Sequence, residues 1–525
     1  MPYYVAQHGS AVSIINTAGT LIPVTLPDGV TIPSLYPPRW AIWGREVILV
    51  NATNKPIAIN RNAEARILTP DAPTTAPVIS GTGSSTLTGS YTVKVSYIVK
   101  DAFGNLLAES GLGPVSNTVS ITNQFLLASG IPVSPQSVTA RRLYRTTTGG
   151  STYFPWIDVD GNTVTSAQSN LSDAALQLVS APTNLGSAPE LTHICEWRGR
   201  LWGVDRNNID VLRRTGAGLS YAWDPELLFE IPQLGSDTRG ITALLRRRDE
   251  LGVSRYGSFH TITGNSDVDF TRVTIAEAIG CVSQESVQII DDVAYFLGNP
   301  YGVYTWNDGG VQPISHEKVR GWFGTDTYFN RARFQYAKSA YDPVHHIYRL
   351  HLAAAGSSSE DRWIYYDIES GQWYGPHKTD EFTPSAGGLL TASDDTPMAA
   401  MGSSNGFIWK DQATRTDGTS TAIDFDVDSP FLSGAPAVPD IHKQFLDPTI
   451  LTKIQASGTL TVTPKVGEIS ASAGTAISHN MTLGREVLRR LGAGRFAQLN
   501  FRQNTAAVDV VMYGLELPYF ELGRR

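Results

Sequence analysis

Hydrophobic and polar positions along the chain alternate with the period of β-strands, and helical periodicity is nearly absent. Short runs rich in β-branched and aromatic residues recur between turns of Gly, Pro, Asn and Asp, which is the pattern of strands. The clearest runs lie at 46–50, 91–99, 287–290 and 459–463. Two short segments, 173–178 and 484–491, are the fair helical candidates. The pattern therefore predicts an all-β fold.

Residues 77–185 have a strand spacing of their own. A stretch rich in Pro, Thr, Ser and Gly leads into an alternating strand, and the turn at 101–105 would close a hairpin. More strand-like runs follow, and 158–162 has the form of another hairpin turn. About seven strands in roughly 100 residues are typical of an immunoglobulin-like or fibronectin III-like sandwich. We therefore predict such a sandwich, inserted at 77–185.

A weak repeat surrounds this segment, and each copy joins a charged turn to a run of apolar strand residues. The copies start at Trp40, Trp197, Arg247, Ile290, Asp342 and Asp395. From the second copy onward they lie about 43 to 53 residues apart, which suits the four strands of a β-propeller blade. This predicts a β-propeller of about six blades, with an N-terminal arm and the first blade in 1–76 and the other blades in 186–423. A set of unrelated β-hairpins in two sandwiches is the alternative.

The pattern changes again at residue 424, and the strand-like runs beyond it predict a C-terminal β-sandwich over 424–525. Within this region the stretch 484–502 is the one concentrated basic patch of the chain. It carries a single acid, Glu486, and five arginines: Arg485, Arg489, Arg490, Arg495 and Arg502.

Composition narrows the function classes. The chain has 525 residues, a net charge of −8 and a pI near 5.7, whereas proteins that grip nucleic acid by its phosphates are usually basic. Tight DNA or RNA binding is therefore not expected, although transient passage along an acidic wall is compatible with this charge. Cys195 and Cys281 form no C-x-x-C pair and exclude a disulfide framework. We expect no signal peptide, no membrane-spanning segment and synthesis in a reducing cytoplasm.

Two groups of carboxylates resemble cation ligands but have simpler interpretations. Asp424, Asp426 and Asp428 alternate along a predicted strand, and three acids on one face would attract Ca²⁺. The remaining ligands of a Ca²⁺ loop are missing, so a solvated strand edge explains them better. The segment from Asp158 to Asn162 fits the Asp-Gly turn of a hairpin.

Histidines and catalytic motifs give no site either. His345 and His346 would point to opposite faces of a strand, and His193 and Cys195 share a face without further ligands. No P-loop or H-E-x-x-H motif occurs, and the Asp-box repeat of sialidase-like propellers is not evident. We therefore predict no enzyme, no catalytic residue, no metal and no cofactor.

Three stretches point to a known family. They are THICEWRGRLWGV at 192–204, the run 280–315 with GCVSQESV, DVAYFLG and GVYTWNDGGVQPIS, and YGLELPYFELGRR at 513–525. Together with the order of domains, they resemble the tail nozzle proteins of short-tailed bacteriophages, also called tail tubular protein B. The resemblance implies a structural virion protein, assembled in the host cytoplasm as a homohexameric ring around a channel for DNA ejection. The partners it implies are the tail adaptor ring, tail fibres and, transiently, phage DNA.

The resemblance also suggests roles for the basic residues. We expect the five arginines of 484–502 at a subunit interface or at the junction with the adjoining tail ring. Arg246, Arg247 and Arg248 precede two acids at a predicted hairpin. They would face the channel or, as we favour, pair with acids of the same or a neighbouring subunit. The alternative function is a carbohydrate-binding or host-receptor-binding virion protein on a propeller scaffold.

Overall fold

The computed structural model describes most of the chain. The described residues are 4–16, 20–33, 38–176, 179–234, 238–378, 383–391, 397–404, 408–410, 416–417, 421–422, 425–429, 432, 442–467, 471–489, 491–504, 510 and 512–523. Their contacts divide the chain into unit 1, with Met1–Lys378 and Thr383–Trp409, and unit 2, with Thr379–Phe382 and Lys410–Arg525. The sheets of both units are antiparallel, so the fold is all-β.

Unit 1 begins with a three-stranded sheet, sheet 1, followed by a four-stranded sheet, sheet 2. Alternating apolar residues of the two sheets meet in a shared core that includes Val12, Ile14, Leu49 and Ile57. The strands of sheet 1 are β1 (Tyr4–His8), β2 (Ala11–Ile15) and β3 (Leu21–Pro23). Those of sheet 2 are β4 (Arg39–Trp43), β5 (Glu46–Val50), β6 (Ile57–Ile59) and β7 (Ala65–Ile67).

The inserted segment forms a sandwich around Val93, Leu126, Leu143 and Trp156. Its strands are β8 (Val78–Thr82), β9 (Gly89–Tyr91), β10 (Val93–Lys100), β11 (Leu106–Glu109), β12 (Val119–Ile121), β13 (Phe125–Ser129), β14 (Ala140–Thr146), β15 (Tyr153–Asp160) and β16 (Ser166–Ser169). One sheet has the order β11-β10-β14-β15, another has the order β16-β13-β8, and β12 pairs with β9.

Two local predictions for the insert have different outcomes. The turn at 101–105 closes the β10–β11 hairpin, as predicted. The prediction of a hairpin at 158–162 is wrong. After β15 the chain passes Gly161, whose φ is +75°, and continues to β16, which pairs with β13 in the other sheet. The turn therefore connects two sheets rather than two paired strands.

Five further sheets follow the insert in chain order. Sheet 3 contains β17 (Leu191–Trp197), β18 (Arg200–Asp205), β19 (Val211–Arg214) and β20 (Leu228–Glu230). Sheet 4 contains β21 (Ile241–Arg246), β22 (Leu251–Arg255), β23 (Phe259–Thr263) and β24 (Thr271–Ala276). Sheet 5 contains β25 (Gly280–Cys281), β26 (Gln288–Ile290), β27 (Val293–Asn299), β28 (Gly302–Asn307) and β29 (Gly310–Pro313).

Sheets 6 and 7 complete unit 1. Sheet 6 contains β30 (Lys338–Asp342), β31 (Ile347–Leu352), β32 (Arg362–Asp367) and β33 (Gln372–His377). Sheet 7 contains β34 (Pro384–Thr391), β35 (Pro397–Ser403) and β36 (Ile408–Lys410).

These sheets pack in sequence as the blades of a β-propeller. The first strands of neighbouring sheets contact one another: β4 meets β17, β17 meets β21, and β30 meets β34. A 3-10 turn at Gln284–Ser286 fills the same place in sheet 5, between β21 and β30. The first strands therefore form an inner ring. The hydroxyl of Tyr4 donates a 2.6 Å hydrogen bond to Thr391 Oγ1, which joins sheet 1 to sheet 7. The number of blades remains a prediction.

The turns of the sequence repeat each join two neighbouring antiparallel strands of one sheet. Five of the six predicted copies do so, in the hairpins β4–β5, β17–β18, β21–β22, β26–β27 and β30–β31. The turn follows the second strand in sheet 5 and the first strand in the other four sheets. Asp291 and Asp292 both have positive φ, which a tight two-residue hairpin turn requires. The turn of the sixth copy, at Asp395, lies outside the described residues. We call these five turns the hairpin tips.

Unit 2 contains a β-sandwich around Ile450, Leu460, Leu499 and Phe501. Its strands are β37 (Thr416–Asp417), β38 (Thr421–Ala422), β39 (Phe425–Asp428), β40 (His442–Phe445), β41 (Thr449–Thr452), β42 (Thr459–Gly467), β43 (Ala471–Ala473), β44 (Ile477–Asn480), β45 (Arg485–Val487), β46 (Gly492–Gly494), β47 (Phe496–Gln503), β48 (Met512–Glu516) and β49 (Tyr519–Gly523).

Helices contribute little. The described elements are α1 (Arg320–Gly324) and three short 3-10 turns at Asp173–Ala175, Gln284–Ser286 and Arg331–Tyr336. The predicted helix at 173–178 is therefore a single turn in its described part. The predicted helix at 484–491 is wrong, because Arg485–Val487 pairs with β41 as a strand. Among the described residues, no helix has the length and apolar character needed to cross a membrane.

Candidate functional site

Polar groups join the sheets at the inner ring. The side-chain amide of Gln284 accepts a hydrogen bond from Leu244 N over 2.7 Å and donates one to Leu244 O over 3.1 Å. On the opposite side, Ser339 Oγ donates to Glu285 O over 2.8 Å. These bonds satisfy backbone groups that a neighbouring strand would otherwise pair. Sheets 4, 5 and 6 are thereby held together at the inner ring.

An ion pair crosses the inner ring between sheets that are not neighbours. Arg39 Nε of sheet 2 lies 3.0 Å from Glu285 Oε1 of sheet 5, and Arg39 Nη1 donates a 2.7 Å bond to Thr192 O of sheet 3. The two charged side chains are 21% and 25% exposed. A direct contact of this kind leaves no opening for a nucleic-acid strand between the paired side chains.

His193 and Cys195, which share a strand near this pair, have structural roles. His193 Nε2 lies 3.1 Å from Thr242 O of the next sheet, and Nδ1 lies 2.9 Å from Thr192 Oγ1. Burial, together with the charge of Arg39, holds the pKa of His193 well below its usual range, so the ring is neutral. Burial raises the pKa of the Cys195 thiol to about 12. A neutral imidazole and an un-ionised thiol serve here as packing and hydrogen-bonding groups.

Arg247 lies at the tip of the β21–β22 hairpin and is buried against sheet 5. Its Nε donates to Asp292 O over 2.6 Å, Nη2 contacts Asp308 Oδ1 over 2.5 Å, and Nη1 contacts Glu250 Oε2 over 3.1 Å. The guanidinium also lies over the ring of Trp306, 4.9 Å from its centroid. Burial opposes the charged form, but the bond to Asp308 and the surrounding carboxylates outweigh it and raise the pKa. Arg247 is therefore an internal brace between two hairpin tips.

The neighbours of Arg247 also contact adjacent tips. Arg246 Nη1 lies 3.1 Å from Glu196 Oε2, and Arg198 Nη2 lies 2.7 Å from Asp249 Oδ1, so two bonds connect sheets 3 and 4. The side chain of Arg248 is exposed and forms no ion pair with any described residue. Two of the three predicted arginines thus pair with acids of the same chain.

The basic stretch of unit 2 differs from this arrangement. Its one acid, Glu486, accepts from His479 Nδ1 over 2.7 Å and from Asn480 N over 2.9 Å. Arg485 and Arg489 are exposed, and within the described part of the chain neither forms an ion pair. Within the described part of the chain, no carboxylate therefore balances the positive charge of these two side chains.

The remaining arginines of this stretch are spread over other elements. Arg495 is half-buried at the end of β46, and Arg502 is exposed on β47, directly opposite Asp426 of β39 in the strand register. Arg490 lies outside the described residues. Arg502 therefore lies beside a strand that carries acids, and its surroundings differ from those of Arg489.

The predicted carboxylate group on β39 is partly paired. Asp426 Oδ1 accepts from Asn500 Nδ2 over 2.5 Å, and both oxygens of Asp428 contact Lys465 Nζ, at 2.8 and 3.0 Å. Asp424 lies outside the described residues. Because an amide and an ammonium already serve these two carboxylates, their geometry does not call for a cation.

The other candidate metal ligands are also engaged elsewhere. Asp158 forms a two-bond pair with Arg142, at 2.8 and 3.0 Å. The prediction that His345 and His346 lie on a strand is wrong, because both are in the β30–β31 turn, and His345 Nδ1 lies 2.7 Å from Asp342 Oδ2. In the described part of the chain, no three His, Cys, Asp or Glu side chains come together as metal ligands.

One ion pair and one buried acid were missed by the sequence analysis. The Arg39–Glu285 pair joins residues 246 positions apart, and neither belongs to a charged run. Glu109 is buried in the insert, where Ser96 Oγ donates to it over 2.6 Å and the Tyr144 hydroxyl over 2.5 Å. The sequence feature that could have revealed Glu109 is a single acid at the end of an apolar strand.

The comparisons with known proteins add little to this geometry. No protein-family model matches the chain, and no curated protein does. Among solved structures, the chain is similar to the WD40 β-propeller domain of Doa1, with 8% identity, 70% of this chain and 90% of that chain covered, and a TM-score of 0.27. It is also similar to an exo-β-1,3-galactanase from Phanerochaete chrysosporium, with 9% identity, 97% and 100% covered, and a TM-score of 0.20. Likenesses this weak carry no functional argument.

Proposed function

We propose that the chain is a structural, non-catalytic component of a bacteriophage tail nozzle, in which identical copies form a ring around a passage for DNA. One observation carries the proposal. Arg485 and Arg489 are exposed, while the nearest acid in sequence, Glu486, is held by His479. The chain therefore presents positive charge on unit 2 although its net charge is −8. The resemblance of three stretches to nozzle proteins supports the assignment.

Opposite charges on separate surfaces favour head-to-tail association. A head-to-tail interface closes into a ring when its rotation permits, and charge complementarity sets which surfaces meet. We place Arg485 and Arg489 of one copy against an acidic surface of the next. Exposed pairs contribute only about 0.2–1 kcal/mol each and are screened by salt. Assembly should therefore depend on several pairs together and weaken with ionic strength.

The proposed DNA passage lies between copies rather than through the propeller of each copy. Support comes from the inner ring, where Arg39 of sheet 2 contacts Glu285 of sheet 5 over 3.0 Å. An overall acidic chain suits such a passage, because every phosphate that a cation neutralises adds affinity and would retard translocation. In this proposal each propeller is a wall element, and the ring of copies provides the opening.

A charge reversal with a matched control tests the assignment. Arg489→Glu and Lys453→Glu each change one exposed cation of unit 2 to an anion. We expect wild type and Lys453→Glu to form rings with a central hole at low salt, and Arg489→Glu to need a higher protein concentration for the same fraction of rings. Light scattering during size-exclusion chromatography gives the mass, and negative-stain electron microscopy shows the hole. A wild type that stays monomeric at all concentrations, or equal assembly of both variants, would contradict the proposal.

A further inference from the structure

A cavity of about 370 Å³ lies between sheets 4 and 5. Its walls come from the β22–β23 turn at Tyr256 and Gly257, from Asn299 at the end of β27, and from the segment before β21 that includes Thr238 and Arg239. Each of these turns follows the strand that leaves a hairpin tip or connects one sheet to the next, so the cavity lies at the end of the sheets opposite the hairpin tips. Its volume is within the range of small-molecule sites, roughly 300–1,000 Å³.

The best-defined wall is an arginine stacked on a tyrosine. The Cζ atom of Arg239 lies 3.1 Å from the centroid of the Tyr256 ring. Such stacking fixes the plane of a guanidinium and leaves the donors at its edge directed sideways. A guanidinium has five N–H donors, so it can serve a bound oxyanion in addition to partners within the chain. The stack therefore holds one positive, planar donor group at the cavity.

The tyrosine itself is anchored from the far side. The hydroxyl of Tyr256 donates a 3.0 Å bond to the hydroxyl of Tyr301. Burial and this bond raise the pKa of Tyr301 to about 12, so its hydroxyl stays un-ionised at physiological pH. Tyr301 also packs edge-on against Phe334, with ring centroids 5.0 Å apart. The tyrosine ring beneath Arg239 is thus anchored by Tyr301 of sheet 5, which itself packs on the segment that follows that sheet.

The remaining described lining groups are polar or small. Thr238 offers a hydroxyl and Asn299 a carboxamide, while Leu234 adds an apolar side chain and Gly257 allows close approach to the backbone. No carboxylate occurs among the described residues that line the cavity. Hydroxyl and amide groups beside one guanidinium suit a ligand with several hydroxyls and a single negative charge. An inorganic anion alone would leave most of the volume unfilled.

We propose that this cavity binds an acidic saccharide unit, with its carboxylate on Arg239 and its hydroxyls toward Thr238 and Asn299. The bidentate fork of arginine matches the two oxygens of a carboxylate. The inference does not depend on the proposed ring function, because every group involved belongs to a single copy.

Titration with D-glucuronate tests the site, with glucose as the uncharged analogue and inorganic phosphate as the anion alone. We expect saturable binding of glucuronate by calorimetry or ligand-observed NMR, and much weaker binding of glucose and phosphate. Arg239→Gln should weaken glucuronate binding at least tenfold, which corresponds to about 1.4 kcal/mol. Arg248→Gln is the matched control, because it removes an exposed arginine at the other end of sheet 4 and should leave binding unchanged.

The outcomes separate the possibilities. Binding of phosphate as tight as that of glucuronate would replace the saccharide site by a simple anion site and overturn the proposal. Equal binding of glucose and glucuronate would show that Arg239 does not recognise the carboxylate. Absence of saturable glucuronate binding would show that the cavity is not a site for an acidic saccharide. Either result would overturn the proposal. Near-ultraviolet circular dichroism of Arg239→Gln must match wild type, and Tyr256→Phe, which keeps the stacked ring, provides a second, milder variant. Ring assembly measured in the same samples reports separately on the proposed function.

Discussion

Arg247 and Arg489 both belong to arginine-rich segments, and they differ in where the acids are. Arg247 is 6% exposed and contacts carboxylates from its own turn and from two turns of the neighbouring sheet. Arg489 is exposed, and the acid three positions before it is bonded to His479. The first arginine contacts acids of its own chain, whereas the second is exposed and forms no ion pair within the described part of the chain. The structural role of a run of arginines therefore depends on which acids the fold places beside it.

Acid should have the largest effect on stability, because histidines that are neutral in the folded chain take up protons when the chain unfolds. Burial lowers the pKa of His260 and His377 to about 4 and holds those of His193 and His351 well below the usual range. Unfolded histidines titrate near about 6.5, so the unfolded chain takes up protons first as the pH falls. The stability contribution present above about pH 6.5 is lost progressively toward about pH 4.

Calorimetric unfolding between about pH 7.5 and 4.5 measures this loss. His377→Phe keeps an aromatic ring next to Tyr365, which lies 4.8 Å from the imidazole centroid, and removes the titrating group. We expect a shallower decline of the unfolding temperature in this variant. An identical decline in variant and wild type would show that His377 does not contribute to the acid sensitivity.

Replacing Arg247 should have the next largest effect. Arg247→Ala removes three carboxylate contacts and the packing over Trp306. Hydrogen bonds to charged groups contribute about 1.5–3 kcal/mol and breaking a buried pair costs about 3–5 kcal/mol. Because Asp308 is 94% exposed and regains water, we expect a loss of about 2–3 kcal/mol in unfolding free energy.

The control is Arg248→Ala, the next residue in the same turn. Its exposed side chain should change stability by less than about 0.5 kcal/mol. Urea unfolding followed by tryptophan fluorescence compares the two variants with wild type. Equal effects at 247 and 248 would mean that burial of the guanidinium does not distinguish them, and the contrast drawn above would fail.

The smallest expected effect belongs to the surface pair Asp428–Lys465 in unit 2. Both groups are substantially exposed, and their closest atoms lie 2.8 Å apart. A double-mutant cycle with Asp428→Asn and Lys465→Met should give a coupling energy of about 0.2–1 kcal/mol that falls with salt. A coupling as large as the effect of Arg247→Ala would indicate that exposure is a poor guide to the strength of charge pairs in this protein.

Much of the architecture could be predicted, because its signals are local. Alternating strands, Gly and Asp turns and a spacing of about 43 to 53 residues correctly indicated repeated antiparallel hairpins. Five turns of the repeat join two neighbouring strands of one hairpin, as predicted. The helix predicted at 484–491 failed for a physical reason. Arginine and leucine favour helices in isolation, but pairing of Arg485–Val487 with β41 overrides that preference.

The sequence by itself determined the class of fold, the inserted sandwich and the positions of the charged turns. All of these depend on backbone geometry and side-chain alternation within a few residues. The tertiary structure alone decided which charges meet. Arg39 and Glu285 are 246 positions apart, and Arg247 reaches acids 45 and 61 positions away. A charge pair depends on distance in space and on the water excluded around it, and neither quantity is set by neighbours along the chain.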